Sequence, residues 1–224
     1  MKKFFVIMLV AVLTASYAHA QFAVGARAGF MFTRDANTYD GAALEVEKIF
    51  TPGFQLGAVG ELSLTEQIAV QPGLLFVQTR AGGKGFDFND NKEEKYKMNI
   101  NQLFIPINVM YKLDLGVPTL ILQAGPYFGF GIGGSWKYTH GSDEQKGKVK
   151  FGKEPDNYTG DDDYIGAKAL DMGLGFGLGL QAHNMQFSFT YNIGLANVDA
   201  YETDKYKLKY NAFMFNLTYF FGFQ

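Results

Sequence analysis

A chain of 224 residues with 27 glycines, 16% aromatic residues and no cysteine has the length of one domain, and it cannot be a small secreted scaffold stapled by disulfides. The aromatic and glycine shares are high for a soluble globular domain. A formal net charge of −2 gives none of the basic excess that marks a nucleic-acid partner.

The chain opens on Met1-Lys2-Lys3, runs uncharged from Phe4 to Leu13 and reaches Ala18-His19-Ala20. A basic head, an apolar stretch of about ten residues and an A-x-A exit predict a secretory signal peptide over residues 1–20, with a retained N-terminal anchor as the alternative. The stretch is too short for a spanning helix, which needs about 20 apolar residues. Cleavage after Ala20 leaves 18 Lys+Arg against 22 Asp+Glu, a net charge of −4, on a domain spanning 21–224.

Eight period-two segments follow, separated by polar text. Phe22–Thr33 sets Phe22, Val24, Ala26, Ala28, Phe30 and Phe32 against Gly25, Arg27, Gly29 and Thr33. After a polar stretch (35–51), Gly53–Leu62 opposes Phe54, Leu56, Ala58 and Leu62 to Gln55, Gly57 and Glu61. A short link leads to Gln67–Arg80, where Ile68, Val70, Leu74 and Phe76 oppose Gln71, Gly73 and Thr79. Polar residues 81–97 precede Met98–Leu113, with Leu103, Ile105, Ile107, Val109 and Tyr111 against Gln102, Pro106 and Asn108. Another short link gives Pro118–Gly133, with Leu122, Phe128 and Phe130 facing away from Gln123, Tyr127 and Gly129. The longest polar stretch (134–163) precedes Leu170–Gln181, where glycine alternates with leucine, methionine and phenylalanine. A tight link, Ala182-His183-Asn184, gives Met185–Leu195; the polar stretch 198–208 precedes Tyr210–Phe223.

The connections alternate long and short. That layout predicts an all-β fold, an eight-stranded antiparallel up-and-down transmembrane β-barrel with short periplasmic turns and long extracellular loops. A soluble eight-stranded carrier is the competing architecture. Sidedness decides between them: Arg27, Glu61 and Asp171 fall on the glycine-and-amide face, and the Phe/Leu face is nearly free of charge. An Arg or Lys on a lipid face at mid-depth costs about 2–4 kcal/mol, which is the pressure that would clear it. Leu170, Met172, Leu174, Phe176, Leu178 and Leu180 then point at lipid, while Gly173, Gly175, Gly177 and Gly179 leave room in a narrow lumen for groups such as Tyr127, Arg27 or Gln71.

Four places resemble a known family. They are Gln102-Leu103-Phe104-Ile105-Pro106-Ile107-Asn108, Ala124-Gly125-Pro126-Tyr127-Phe128-Gly129, Leu170-Asp171-Met172-Gly173-Leu174, and Tyr191-Asn192-Ile193-Gly194-Leu195-Ala196-Asn197-Val198. In order and spacing they resemble the outer-membrane β-barrel domain family of the Bacteroidota (PorT-like). The resemblance implies an integral outer-membrane barrel of eight strands and fixes no activity. Tyr219-x-Phe221-x-Phe223 is similar to the terminal signal read by the barrel-insertion machinery, with Gln224 as a departure.

Motifs that carry chemistry are sparse. Gly129–Gly134 spells G-x-G-x-x-G, but no helical period follows it, so pyrophosphate would meet no helix N-terminus. His140 and His183 fall at opposite ends of the barrel and share no site; a lipid-modifying enzyme would have to use His140 with Ser135 or Ser142. Asp161, Asp162 and Asp163, with Asp156, are candidate oxygen ligands for Ca²⁺. The inward face predicts a polar cluster of Arg27, Glu61, Gln71, Gln123, Tyr127 and Asp171, serving as a rigid plug or, alternatively, as a narrow ion path. The expectation is a non-enzymatic monomer without cofactor. It would be solvated by outer-membrane lipid, act in a structural or surface-interaction role, and meet an extracellular ligand or protein through loops 35–51, 81–97 and 134–163. A small-solute channel is the runner-up.

Overall fold

The computed structural model describes residues 22–39, 42–43, 51–87, 92–152, 164–198 and 206–221. The predicted leader and the Asp161–Asp163 run lie outside them. The described residues form eleven strands: β1 (Phe22–Tyr39), β2 (Ala42–Ala43), β3 (Thr51–Ser63), β4 (Ile68–Asp87), β5 (Lys92–Leu113), β6 (Thr119–His140), β7 (Asp143–Phe151), β8 (Tyr164–Ala167), β9 (Leu170–Ala182), β10 (Met185–Gly194) and β11 (Tyr206–Phe221).

Eight of them close a ring of antiparallel neighbours, in the order β1-β3-β4-β5-β6-β9-β10-β11 and back to β1. The closing ladder runs from Val24↔Phe221 to Tyr39↔Tyr206. A closed ring leaves no backbone unpaired toward hydrocarbon, which is why strands can cross a membrane only in this form.

Alternation sets the two surfaces. Phe30 is 70% exposed, Leu56 58% and Phe187 55%, all on the outer surface, whereas Gln186 and Thr218 are 0% exposed inside. Exposure of so many large apolar side chains fits acyl-chain solvation and no aqueous one. The lumen is not uniformly polar: Met31, Leu75, Val77, Phe104 and Met214 are also buried there. Eight strands leave an interior that side chains must fill, whatever their polarity.

The strands outrun the apolar band. Residues 81–87 and 92–97, expected in a loop, continue β4 and β5 as a paired hairpin up to Asp87↔Lys92. The stretch expected as the longest loop likewise begins as strand: β6 runs on to His140, and β7 folds back along it from His140↔Asp143 to Gly134↔Val149. β9 begins opposite Phe130, so above that point the edge of β6 is free of β9, and β7 takes it. Covering an edge in this way removes a template for stray pairing. The alternation persists in this wall, but neither face is lipid, so the outward apolar residues that mark the band disappear from the sequence.

Candidate functional site

The lumen holds the charged and amide side chains, in two storeys. The lower storey lies toward the short turns. Glu61, two residues before the end of β3, is 1% exposed. Its Oε1 pairs with Lys112 Nζ from β5. Gln71 of β4 donates from Nε2 to Glu61 Oε2 at 3.2 Å and to Gln186 Oε1 at 2.9 Å. Arg27 of β1 donates through Nη2 to Gln71 Oε1 and through Nε to Thr218 Oγ1 of β11, the latter at 2.8 Å. β4 and β10 stand opposite each other in the ring, so the Gln71–Gln186 bond crosses the full width of the bore. Just above, Gln55 Nε2 donates to Asn216 Oδ1, and Asn216 Nδ2 donates to Ser188 Oγ at 3.4 Å. Gln123 Nε2 donates to Thr190 Oγ1 at 2.8 Å.

Each member is there for a local reason. Inward positions recur every second residue, so Arg27, Glu61, Gln71, Gln186 and Thr218 fall inside by parity. Once inside, a charged group needs a partner, because an unpaired buried charge is strongly unfavourable. Lys112 meets that need for Glu61, and Gln71 relays between Glu61 and Arg27 by donating to the first and accepting from the second.

The upper storey is a small hollow lined by Met31, Val77, Phe104, Tyr127, Met214 and Asp171, among others. Phe104 and Tyr127 stack with ring centroids 5.0 Å apart. The ring of Tyr127 occupies the space that a Cβ on Gly173 would take, about 2.6 Å away. The glycines of β9 thus make room for Tyr127, and for Asn192, Gln123 and Ser188 of the same wall, not for Arg27 or Gln71. Asp171 Oδ1 and Thr33 Oγ1 are buried in this storey with no hydrogen-bond partner among the described residues.

Of the predicted cluster, the structure brings together Arg27, Glu61 and Gln71. Gln123 sits on its own bond to Thr190, and Tyr127 and Asp171 line the upper hollow. Asp171 lies opposite Gly129, near the outer end of the apolar band, while Glu61 is beside the turn at the other end; height separates two carboxylates that share a face. Lys112, Gln186, Thr218 and Asn216 were not on the sequence-derived list. Parity places all four inside, and Lys112 was legible from Gln102, Pro106 and Asn108 on the same strand.

The other motifs gather no chemistry. Gly129–Gly134 lies within β6, where Gly131 accommodates the ring of Phe151. Ser135 lies on the outer side of β6 with Asn99 Nδ2 3.4 Å from its Oγ, whereas His140 stacks with Tyr138 on the other face. Among the described residues no three His, Asp or Glu side chains converge as metal ligands.

The profile of a family described as "Outer membrane protein beta-barrel domain" matches residues 15–200. No curated protein matches the chain in sequence. Among solved structures, the chain is similar to the attachment invasion locus protein Ail of Yersinia pestis, at 15% identity over 90% of this chain and 99% of Ail, with a TM-score of 0.43. It is also similar to neisserial surface protein A, at 12% identity over 90% and 99% of the two chains (TM-score 0.39), and to outer membrane protein AlkL, at 15% identity over 90% of each (TM-score 0.33). With its closed ring, apolar exterior and this match over most of its length, the chain belongs to the outer membrane protein beta-barrel domain family and resides in the outer membrane.

Proposed function

We propose that this protein is an occluded, monomeric outer-membrane barrel that acts through its extracellular strands and not through its bore. The single observation that carries this is the Gln71–Gln186 hydrogen bond across the ring, buttressed by Arg27, Glu61, Lys112 and Thr218. In this reading, side chains bonded wall to wall close the water path. The hollow around Asp171 lies nearer the long-loop end than this interlock and serves in this reading as a vestibule. A closed ring offers no edge for a second copy, which favours the monomer. We assign no reaction and no cofactor. Residues 1–20 act in this reading as the export signal and 21–224 as the barrel domain, and the four motifs quoted above support a place among the PorT-like members.

Planar-bilayer recording tests the occlusion. The wild-type chain is expected to show no steady conductance. The Gln71→Ala/Gln186→Ala double variant, which removes the crossing bond, is expected to show brief openings. A steady, large wild-type conductance would refute the occluded reading and favour the small-solute channel.

A further inference from the structure

Above the apolar band, the outward face of β5, β6 and β7 carries Lys95, Lys97, Lys137, Lys146, Lys148 and Lys150. Strand register sets three of them abreast: Lys97 faces Lys137 across β5–β6, and Lys137 faces Lys146 across β6–β7. Like charges directly opposite in a sheet are destabilising, so such a row calls for counter-charge. The described residues supply only part of it. Lys95 pairs with Glu93 at 2.8 Å and Lys137 with Glu144 at 2.6 Å, while Lys97 and Lys148 have no acidic partner among the described residues. This face is therefore strongly cationic on a chain whose net charge is negative.

Its depth is equally specific. Ascending the outer surface, the lipid-facing Leu103 and Phe130 give way to a neutral belt in which Gln78 bonds Asn101 at 3.0 Å and Asn99 approaches Ser135 at 3.4 Å. Arg80 stands opposite Asn99 on β4. Lys150, Lys148 and Lys146 then climb at two-residue steps, each about 5 Å along the membrane normal for a strand tilted by roughly 40°. That places them through the headgroup layer, roughly 5–8 Å thick on each side of the hydrocarbon, and just beyond it.

We propose that this three-strand lysine face is a docking surface for phosphorylated headgroups of the outer leaflet's own lipid. Lys97, Lys137, Lys146 and Lys148 would meet the phosphates while Leu103 and Phe130 meet the acyl chains of the same molecules. The inference rests only on the barrel spanning the outer membrane; an open or a closed lumen leaves it unchanged.

The test uses the refolded full-length barrel in neutral detergent. It is titrated with lipid A, with dephosphorylated lipid A and with inorganic phosphate. Trp136, the single tryptophan, lies between Ser135 and Lys137 on β6 and reports binding by its fluorescence. Lipid A is expected to bind with an affinity that falls as salt rises, and dephosphorylated lipid A to bind about tenfold or more weaker. The Lys97→Gln/Lys146→Gln/Lys148→Gln variant should lose a similar factor while keeping its heat-modifiable gel mobility; Arg34→Gln, on β1 away from this face, should bind as wild type. If the triple variant does not fold, Lys148→Gln alone, exposed and without an acidic partner among the described residues, should still weaken binding several-fold. Equal binding of the two lipids, or wild-type affinity in whichever lysine variant folds, overturns the proposal. Inorganic phosphate competing as well as the lipid would overturn it in favour of a free-anion site.

Discussion

Two regions of one sheet use the same alternation in opposite senses. Inside the bilayer, β9 turns Leu174, Phe176 and Leu178 outward and leaves glycines inside, and β10 turns Phe187 outward and Gln186 inward. In the wall above, β5–β7 turn Lys97, Lys137 and Lys148 outward, and the side continuous with the lumen carries Met98, Trp136 and Val149, the last only 3% exposed. The strands do not change; the solvent does. Hydrocarbon excludes charge from the outer surface and leaves the lumen to amides. Water and headgroups reverse that preference within a few residues of the same strand.

The strongest way to break this comparison is to unbalance the lower lumen. Glu61→Ala removes a buried carboxylate from the half-buried Lys112 and takes an acceptor from Gln71, and it is expected to cost about 3 kcal/mol in urea unfolding from vesicles. A loss below about 1 kcal/mol would mean that the interlock contributes no cohesion. Next comes the outer surface. Leu178→Arg, at mid-band, should cost about 2–4 kcal/mol, whereas Thr139→Arg, on the same outward side but in the wall, should fall within about 0.5 kcal/mol of wild type. Equal costs at the two heights would erase the boundary between the regions.

A smaller effect is expected from Gly173→Leu, whose Cβ meets the Ile193 carbonyl oxygen and the ring of Tyr127 and which should cost about 1–3 kcal/mol by overpacking. Gly133→Ala, where an added Cβ meets nothing within 4 Å, is the matched control and should be near neutral. The smallest belongs to the wall. The hydrogen bond from Lys137 holds the Glu144 carboxyl below its ordinary value. The folded chain then gives up that proton more readily than the unfolded one. The contribution is present above the ordinary carboxylate range and fades as pH falls through the lowered value. Glu144→Gln should remove this fade from the thermal midpoint in acid without changing the midpoint near neutrality by more than a degree or so, since the group is exposed. An unchanged acid profile would show that the pair is not formed in solution.

The sequence carried the barrel in its outward residues: Phe30, Leu56, Leu122, Leu178 and Phe187 can be read as one lipid-facing surface without any knowledge of register. It carried the lumen only halfway. Parity puts Glu61, Lys112 and Asp171 inside, but which of them meet depends on their height and on which strands stand opposite, and those follow from the stagger of the whole ring. β7 was illegible for a different reason. Asp143–Phe151 alternates lysine with glycine, valine and phenylalanine, and without a lipid face that pattern reads as a charged loop.

The ladder between β1 and β11 joins residues that lie almost a whole chain apart, as Val24 and Phe221 do. Every other neighbouring pair in the ring can zip locally or after a single excursion; this seam must wait until the final strand has emerged and been delivered. Until then the polypeptide has two raw margins, on β1 and on β10, both open to stray pairing. Deleting β11 would therefore yield not a smaller pore but a sticky, unsealed sheet destined for proteolysis.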